Sequence, residues 1–308
     1  MKKFSYLVIL LLLSNYSSAQ TTPTPEATPP VKIARPFKHN FQVGFTLNQA
    51  SFSDNWKGGG VNSIAFGGFL NYNVKYKNEN WDFASDLQSQ IGFIENAGEN
   101  RRKNADRIFY DLKAAYRLTS KWNAFASINF LSQFADGYDY KVKSILDDKK
   151  DSLVSALFAP AYLTSSVGAE YKPIDYFWLR FGVGTLRQTF VLDERISNAG
   201  LYGLKKPGDR LRNQAVLQFI ANFDKNLAEN INLKWRYMVN FDYIEATSAT
   251  GTMEAAVVHN FNLNLTLKAT KYISTNFQVN VIKDPDQDKN TQFSQILSLG
   301  MLLNLNRD

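Results

Sequence analysis

From Phe41 to the end of the chain, apolar residues recur at every second position in segment after segment. A period of two is the mark of β-strands with one apolar face. Phe41, Val43, Phe45 and Leu47 alternate with Gln42, Gly44, Thr46 and Asn48. Ile231, Leu233, Trp235, Tyr237, Val239 and Phe241 alternate with Asn232, Lys234, Arg236, Met238, Asn240 and Asp242. About twelve such segments follow one another, most near the ~9–11 residues that a tilted membrane-spanning strand needs. Beyond the first twenty residues, no apolar run approaches the length of a spanning helix. If this chain crosses a membrane, it does so as strands.

The connections alternate too. Short ones lie at 77–80, 119–121, 172–176, 225–230 and 269–272, and longer ones at 52–60, 94–106, 135–155, 186–212, 243–254 and 283–290. Beside the short turns, the apolar face carries Tyr72, Tyr76, Trp81, Tyr116, Trp122, Tyr171, Phe177 and Phe223. Amphipathic rings at one fixed depth form an interfacial girdle. The expected fold is all-β: a transmembrane antiparallel up-and-down β-barrel of about 12 strands, with short periplasmic turns and long extracellular loops. An even count places both termini on the short-turn rim.

The start of the chain agrees with export. Lys2 and Lys3 precede an apolar run from Tyr6 to Leu13, and Ser17-Ser18-Ala19 supplies small residues for cleavage. The expected domains are a signal peptide at 1–19, a Thr/Pro-rich periplasmic leader at 20–37 and an outer-membrane barrel at 38–308. The expected location is the outer membrane, with cleavage before Gln20.

Composition narrows the function. There is no cysteine and there are two histidines, His39 and His259. That leaves no thiol nucleophile and no zinc site of the usual kind. The run Asp147-Asp148-Lys149-Lys150-Asp151 lacks the glycine and terminal glutamate of a calcium loop. His259 has lipid-facing parity, while Ser274 and Ser298 have lumen parity, so a membrane-embedded lipid hydrolase is the weakest of three readings. No catalytic residue, metal or cofactor is expected. The net charge of +7 is scattered, which suits outer-membrane lipid and lipopolysaccharide as partners and argues against nucleic acid.

The stretch from Asn48 to Ser63, NQASFSDNWKGGGVNS, resembles the opening of a family of uncharacterised secreted proteins of Gram-negative bacteria, known only as a domain of unknown function. Asp82 to Phe93, Ala159 to Leu163 with Gly168 and Tyr171-Lys172-Pro173, and Thr185 to Gly203 are similar to it as well. The resemblance implies an outer-membrane barrel and no known activity. Members tend to end on an aromatic residue, whereas this chain ends on Asn306-Arg307-Asp308.

Two loops offer candidate contact surfaces. Trp56, Gly58, Gly59 and Gly60 lie in the first long loop, where consecutive glycines permit positive φ and close backbone approach. Arg187, Arg195, Lys205, Lys206, Arg210 and Arg212 make loop 186–212 basic, a surface for a partner protein or glycan. In loop 135–155, Ile145, Leu146, Leu153, Val154 and Leu157 have helix-like spacing, which predicts a short helix capping the mouth.

Inside the barrel, parity points Asp82 and Asp86 inward on the third strand, and Lys113 and Arg117 inward on the fourth. Asp82 with Arg117 and Asp86 with Lys113 share the residue-number sum 199, so one antiparallel register satisfies both pairs. Glu170 and Arg180 flank the turn at 172–176 and form a candidate third pair. The leading functional expectation is a narrow channel or transporter for small polar solutes. The second is an accessory barrel that binds a partner through its loops.

Overall fold

The computed structural model describes residues 37–53, 57, 61–144, 147–247, 256–288 and 290–304. The stretches expected as signal peptide and, up to residue 36, as leader, together with Trp56, Gly58, Gly59 and Gly60, lie outside the described residues.

Twelve strands close into one antiparallel barrel. They are β1 (Phe37–Ala50), β2 (Ser63–Lys77), β3 (Trp81–Asn96), β4 (Arg102–Arg117), β5 (Trp122–Ser132), β8 (Ala161–Ile174), β9 (Phe177–Phe190), β10 (Leu211–Ala228), β11 (Ile231–Asp242), β12 (Val257–Lys268), β13 (Ile273–Lys283) and β14 (Gln292–Asn304). Between β5 and β8 sits a separate hairpin, β6 (Gly137–Ser144) with β7 (Asp147–Ser155). Each barrel strand pairs with its neighbour in sequence, this hairpin apart, and β14 returns to β1. Strand lengths run from 11 to 18 residues. Alternation drives this arrangement, because a strand buries or exposes a whole face at a time.

The outward face is apolar and open: Phe45 and Leu297 are each 66% exposed, and Val183 is 72% exposed. In water such a surface would be an aggregation liability; in hydrocarbon it is the matched face of a spanning barrel. The rings beside the short turns stack across strands. Trp81 meets Tyr116 at 5.2 Å, Trp122 meets Tyr171 at 4.9 Å and Phe223 meets Trp235 at 5.9 Å between centroids. The short turns are 78–80, 118–121, 175–176, 229–230 and 269–272. Asn78 and Thr119 close two of them by accepting backbone N–H bonds from Trp81 and Trp122 at 2.7 and 3.1 Å.

Two expectations at the long-loop rim are corrected. The connection at 94–106 shrinks to 97–101, because β3 and β4 run on as a tall hairpin of 16-residue strands. In loop 135–155 the described residues form the β6–β7 hairpin and not a helix, while Ile145 and Leu146 lie outside the described residues. The hairpin's strand signal was present: Tyr138, Tyr140 and Val142 alternate with Asp139, Lys141 and Lys143. A segment that leaves and re-enters neighbouring barrel strands satisfies its backbone best by pairing with itself.

Among the described residues, an apolar core cluster lies in this rim. Ala156, Ala159, Val191 and Ile196 are buried, with Leu153, Leu201, Tyr202 and Leu204 packed around them. Ile196 sits on a single-turn helix, α1 (Glu194–Asn198), whose first turn is capped by the Asp193 carboxylate. The loop is therefore a folded cap. Ile196→Ala is expected to destabilise it by about 2–5 kcal/mol, the usual range for a fully buried isoleucine. Faster amide exchange confined to residues 153–159 and 191–204, with the barrel strands still protected, is the expected readout.

Candidate functional site

The lumen divides into two unlike halves. The wall from β4 through β10 is packed. There Lys113, Asp111, Glu170, Arg180, Gln218 and Asn222 are buried, with Glu170 at 0% exposure. The remaining wall, from β11 through β14 to β3, keeps Asn262, Asn264, Thr266, Gln278, Asn280, Asn71, Asn73 and Gln88 half-buried. Here amides bond across strands, Asn262 to Asn280 and Thr266 to Asn276, both at 2.8 Å. The second half is a polar lane with accessible surface, and the first is a charged wall.

The charged wall is a connected network. Lys113 donates to both Glu170 oxygens at 3.0 and 3.1 Å and reaches Asp82 at 3.7 Å. Arg180 donates through Nε to Glu170 at 2.9 Å and reaches Asp111 at 3.4 Å. Arg236 approaches the same Asp111 oxygen at 3.6 Å. The guanidinium of Arg180 lies 4.0 Å over the Trp178 ring, and that of Arg236 lies 5.3 Å over Phe109. Guanidinium planes are suited to this double use, pairing at the edge and stacking on the face. Between Arg107 and Asn129 on one side and Arg236, Asn260 and Asn262 on the other, the bore narrows to a cavity of only about 20 Å³.

Among the described residues, two ion pairs reach across the bore from β11: Arg236 to Asp111 on β4, five places round the ring, and Lys234 to Asp86. Lys234 on β11 meets Asp86 on β3 at 3.3 Å. These strands stand six places apart in the ring of twelve whichever way it is followed. The ion pair thus bridges the lumen along a diameter. Both partners stay partly accessible, at 33% and 21% of the side chain. Gln88 donates to the same Asp86 oxygen at 2.9 Å and accepts from Arg107 at 2.9 Å.

Two further features lie at the ends. At the long-loop mouth, Arg187 on β9 donates to Asp284 at 2.8 Å, and both are buried. Gln287 donates to the Tyr162 hydroxyl on β8 at 2.9 Å. The segment after β13 is thereby tied across the mouth to β8 and β9. At the short-turn mouth, Lys77, Asp82, Arg117, Asn123 and Lys172 line a vestibule of about 370 Å³.

The expected ion-pair register is corrected here. The residue-number sum along the facing stretch of β3 and β4 is 197 and not 199. Lys113 therefore lies opposite Ala84, and Asp86 lies opposite Asp111. Asp86 pairs with Lys234 instead, and Asp82 with Lys113. Arg117 is exposed at the vestibule, with no ion pair among the described residues. Glu170 and Arg180 do lie opposite each other and pair. The residues missed from sequence are Asp111, Arg107, Lys234, Arg236 and Asp284. Parity alone would have placed Asp111 beside Lys113; the others become visible only when distant strands meet.

The basic loop surface is also reduced. Arg187 belongs to β9 and points inward, and Arg212 belongs to β10 and pairs with Asp286. Arg195 pairs with Asp193 and Asp136, and Arg210 with Glu194. Lys205 and Lys206 remain as exposed cations with no ion pair among the described residues.

Removing one partner of a buried ion pair leaves the other charge uncompensated, at about 3–5 kcal/mol. Glu170 serves two cations at once. Glu170→Gln is thus expected to lower stability by at least that range, whereas Asp86→Asn, at a part-exposed pair, lowers it by about 1 kcal/mol or less. Urea midpoints of the folded, heat-modifiable form test the contrast.

No curated protein matches the chain. Among solved structures, an outer-membrane channel from Pseudomonas putida F1 is 9% identical, covering 91% of this chain and 100% of that one, at a TM-score of 0.40. The NanC porin is 9% identical over 85% of this chain and 97% of that one, at 0.37. The translocator domain of the autotransporter NalP from Neisseria meningitidis is 12% identical over 88% and 87%, at 0.32. A family described as "Protein of unknown function (DUF3078)" matches residues 47–138, a stretch that takes in the motif around Trp56.

Proposed function

We propose that this protein is an outer-membrane channel for small polar solutes, narrowed in its resting state by ion pairs across the bore and gated at the most hydrated of them. The observation that carries the reading is the Asp86–Lys234 bridge, which spans the accessible half of the lumen at 3.3 Å. The lane beside it offers carboxamide and hydroxyl groups. Those recognise hydroxyls and amides of a solute without a fixed charge preference. The packed half is a rigid wall. Its ion pairs are buried and mutually neutralising, so they do not act as a selectivity ring of separated charges. The bridge is the exception, because water reaches both partners and a part-exposed pair is weak.

The rival readings have less support. Four of the six cations expected on loop 186–212 are engaged with acids of the same rim, which weakens a broad basic docking surface. His259 is bonded to the Tyr237 hydroxyl at 2.8 Å. Ser274 and Ser298 are buried on the opposite face of the wall. A lipid-hydrolysing pair is therefore not assembled.

In planar bilayers, the parent barrel is expected to show low conductance with brief openings. Asp86→Asn and Lys234→Met should each raise it severalfold, and the double variant should add little, because both remove the same bridge. Silence from the parent and from all three variants would show that the lumen is filled, and the accessory reading would take its place.

A further inference from the structure

The ring is not closed equally around its circumference. The other eleven neighbouring strand pairs share between ten and fifteen register positions. β1 and β14 pair from Gln42↔Asn304 to Thr46↔Gly300, and the pairing stops there on the long-loop side. The same register continued upward would join Leu47 to Leu299, Asn48 to Ser298, Gln49 to Leu297 and Ala50 to Ile296. None of these pairs forms, although β1 continues against β2 to Ala50 and β14 continues against β13 up to Gln292. Above Thr46 the wall therefore contains a slot four residues tall, or roughly 13 Å at a strand's rise per residue.

Such a slot exposes two strand edges inside a spanning barrel. Hydrocarbon cannot satisfy the backbone groups along them. Their two sides differ in chemistry. Outward, Leu47, Leu297 and Leu299 are 61%, 66% and 54% exposed. Inward parity belongs to Asn48 and Ser298, which flank the amide-lined lane. Just below, the seam is held shut by close backbone approach: a Cβ at Gly300 would collide with the Phe45 carbonyl oxygen. An occupant of the slot must be apolar where it meets the bilayer and polar where it meets the lumen.

We infer that the β1–β14 slot is a lateral portal for an amphiphile, with a polar head group seated between the strand edges beside Asn48 and an acyl chain running outward past Leu47, Leu297 and Leu299 into the bilayer. The head group supplies donors and acceptors for the free edge groups, which a hydrocarbon chain alone cannot. A strand from a second copy would match the edge groups equally well. It would have to enter between two edges of one wall, however, with paired strands directly below it. The inference is independent of axial conduction, since the slot lies in the wall and the Asp86–Lys234 bridge lies across the bore.

The absence of cysteine makes the test direct. Asn48→Cys is labelled with a small fluorophore and the barrel is placed in phosphatidylcholine vesicles that contain acyl-chain nitroxide lipid. Asn262→Cys, also lumen-facing but on β12 within a fully paired wall, is the control. The expected result is quenching at position 48 severalfold stronger than at 262. Should Asn48→Cys fail to fold, Ile296→Cys, part-exposed with the same inward parity on β14, gives the same reading from the other edge. Equal quenching at 48 and 262 would overturn the portal. So would oxidation of unlabelled Asn48→Cys into a covalent dimer in place of lipid quenching, which would assign the slot to a second copy. Conductance of the same samples keeps this outcome separate from that of the axial channel.

Discussion

Hydrocarbon gives a peptide group nothing to hydrogen-bond. A chain that crosses it as strands must pair every strand on both sides, and the only arrangement that does so is a ring. The twelve-strand closure follows from that constraint, and much else follows from the closure. With β1 beginning and β14 ending on the same rim, the connections sort into turns and loops. With one face turned to lipid, every polar residue of the alternation is forced into a shared interior. The lumen's chemistry is the residue of this sorting: amides and hydroxyls on one wall, and charges on the other.

Charges gathered into a confined space must find one another or remain hydrated. Along β4, β8 and β9 they have found one another so completely that Glu170 has no exposed surface. Buried pairs of this kind contribute little net stability relative to apolar packing, but they are severe about partner loss. Their effect is to fix which strands face each other and to hold half of the bore rigid. The Asp86–Lys234 pair obeys the opposite regime. It is part-exposed and spans the full width, so it is weak enough to exchange with water or solute. One barrel thus carries both a permanent wall and a removable bar, separated only by their degree of hydration.

Much of the fold was legible because alternation is a strong signal over strands of this length. The aromatic bands were legible for the same reason, since depth in the bilayer maps directly onto distance from a turn. The ion-pair partners were not. Sliding β3 against β4 by two residues, from a sum of 199 to one of 197, leaves every side chain on the same face. Parity therefore cannot tell Asp86 opposite Lys113 from Asp86 opposite Asp111. Lys234 was seen as a polar position of β11, but nothing local reveals that it reaches β3 across the bore. The cap over the long-loop mouth was misread for a related reason. Leu153 and Val154 have helical spacing in isolation, yet the loop's two ends are anchored on neighbouring strands and its backbone pairs with itself.

The central claim is that the hydrated Asp86–Lys234 pair gates the lumen, and a charge swap tests it most directly. Single-channel conductance would be recorded for Asp86→Lys, for Lys234→Asp and for the two combined. Each single reversal places like charges face to face and is predicted to open the bore. The combined swap restores an attractive pair in the opposite sense and is predicted to return conductance to the parental level. A swap that stays as open as the single variants, or single reversals that conduct no more than the parent, would contradict the account.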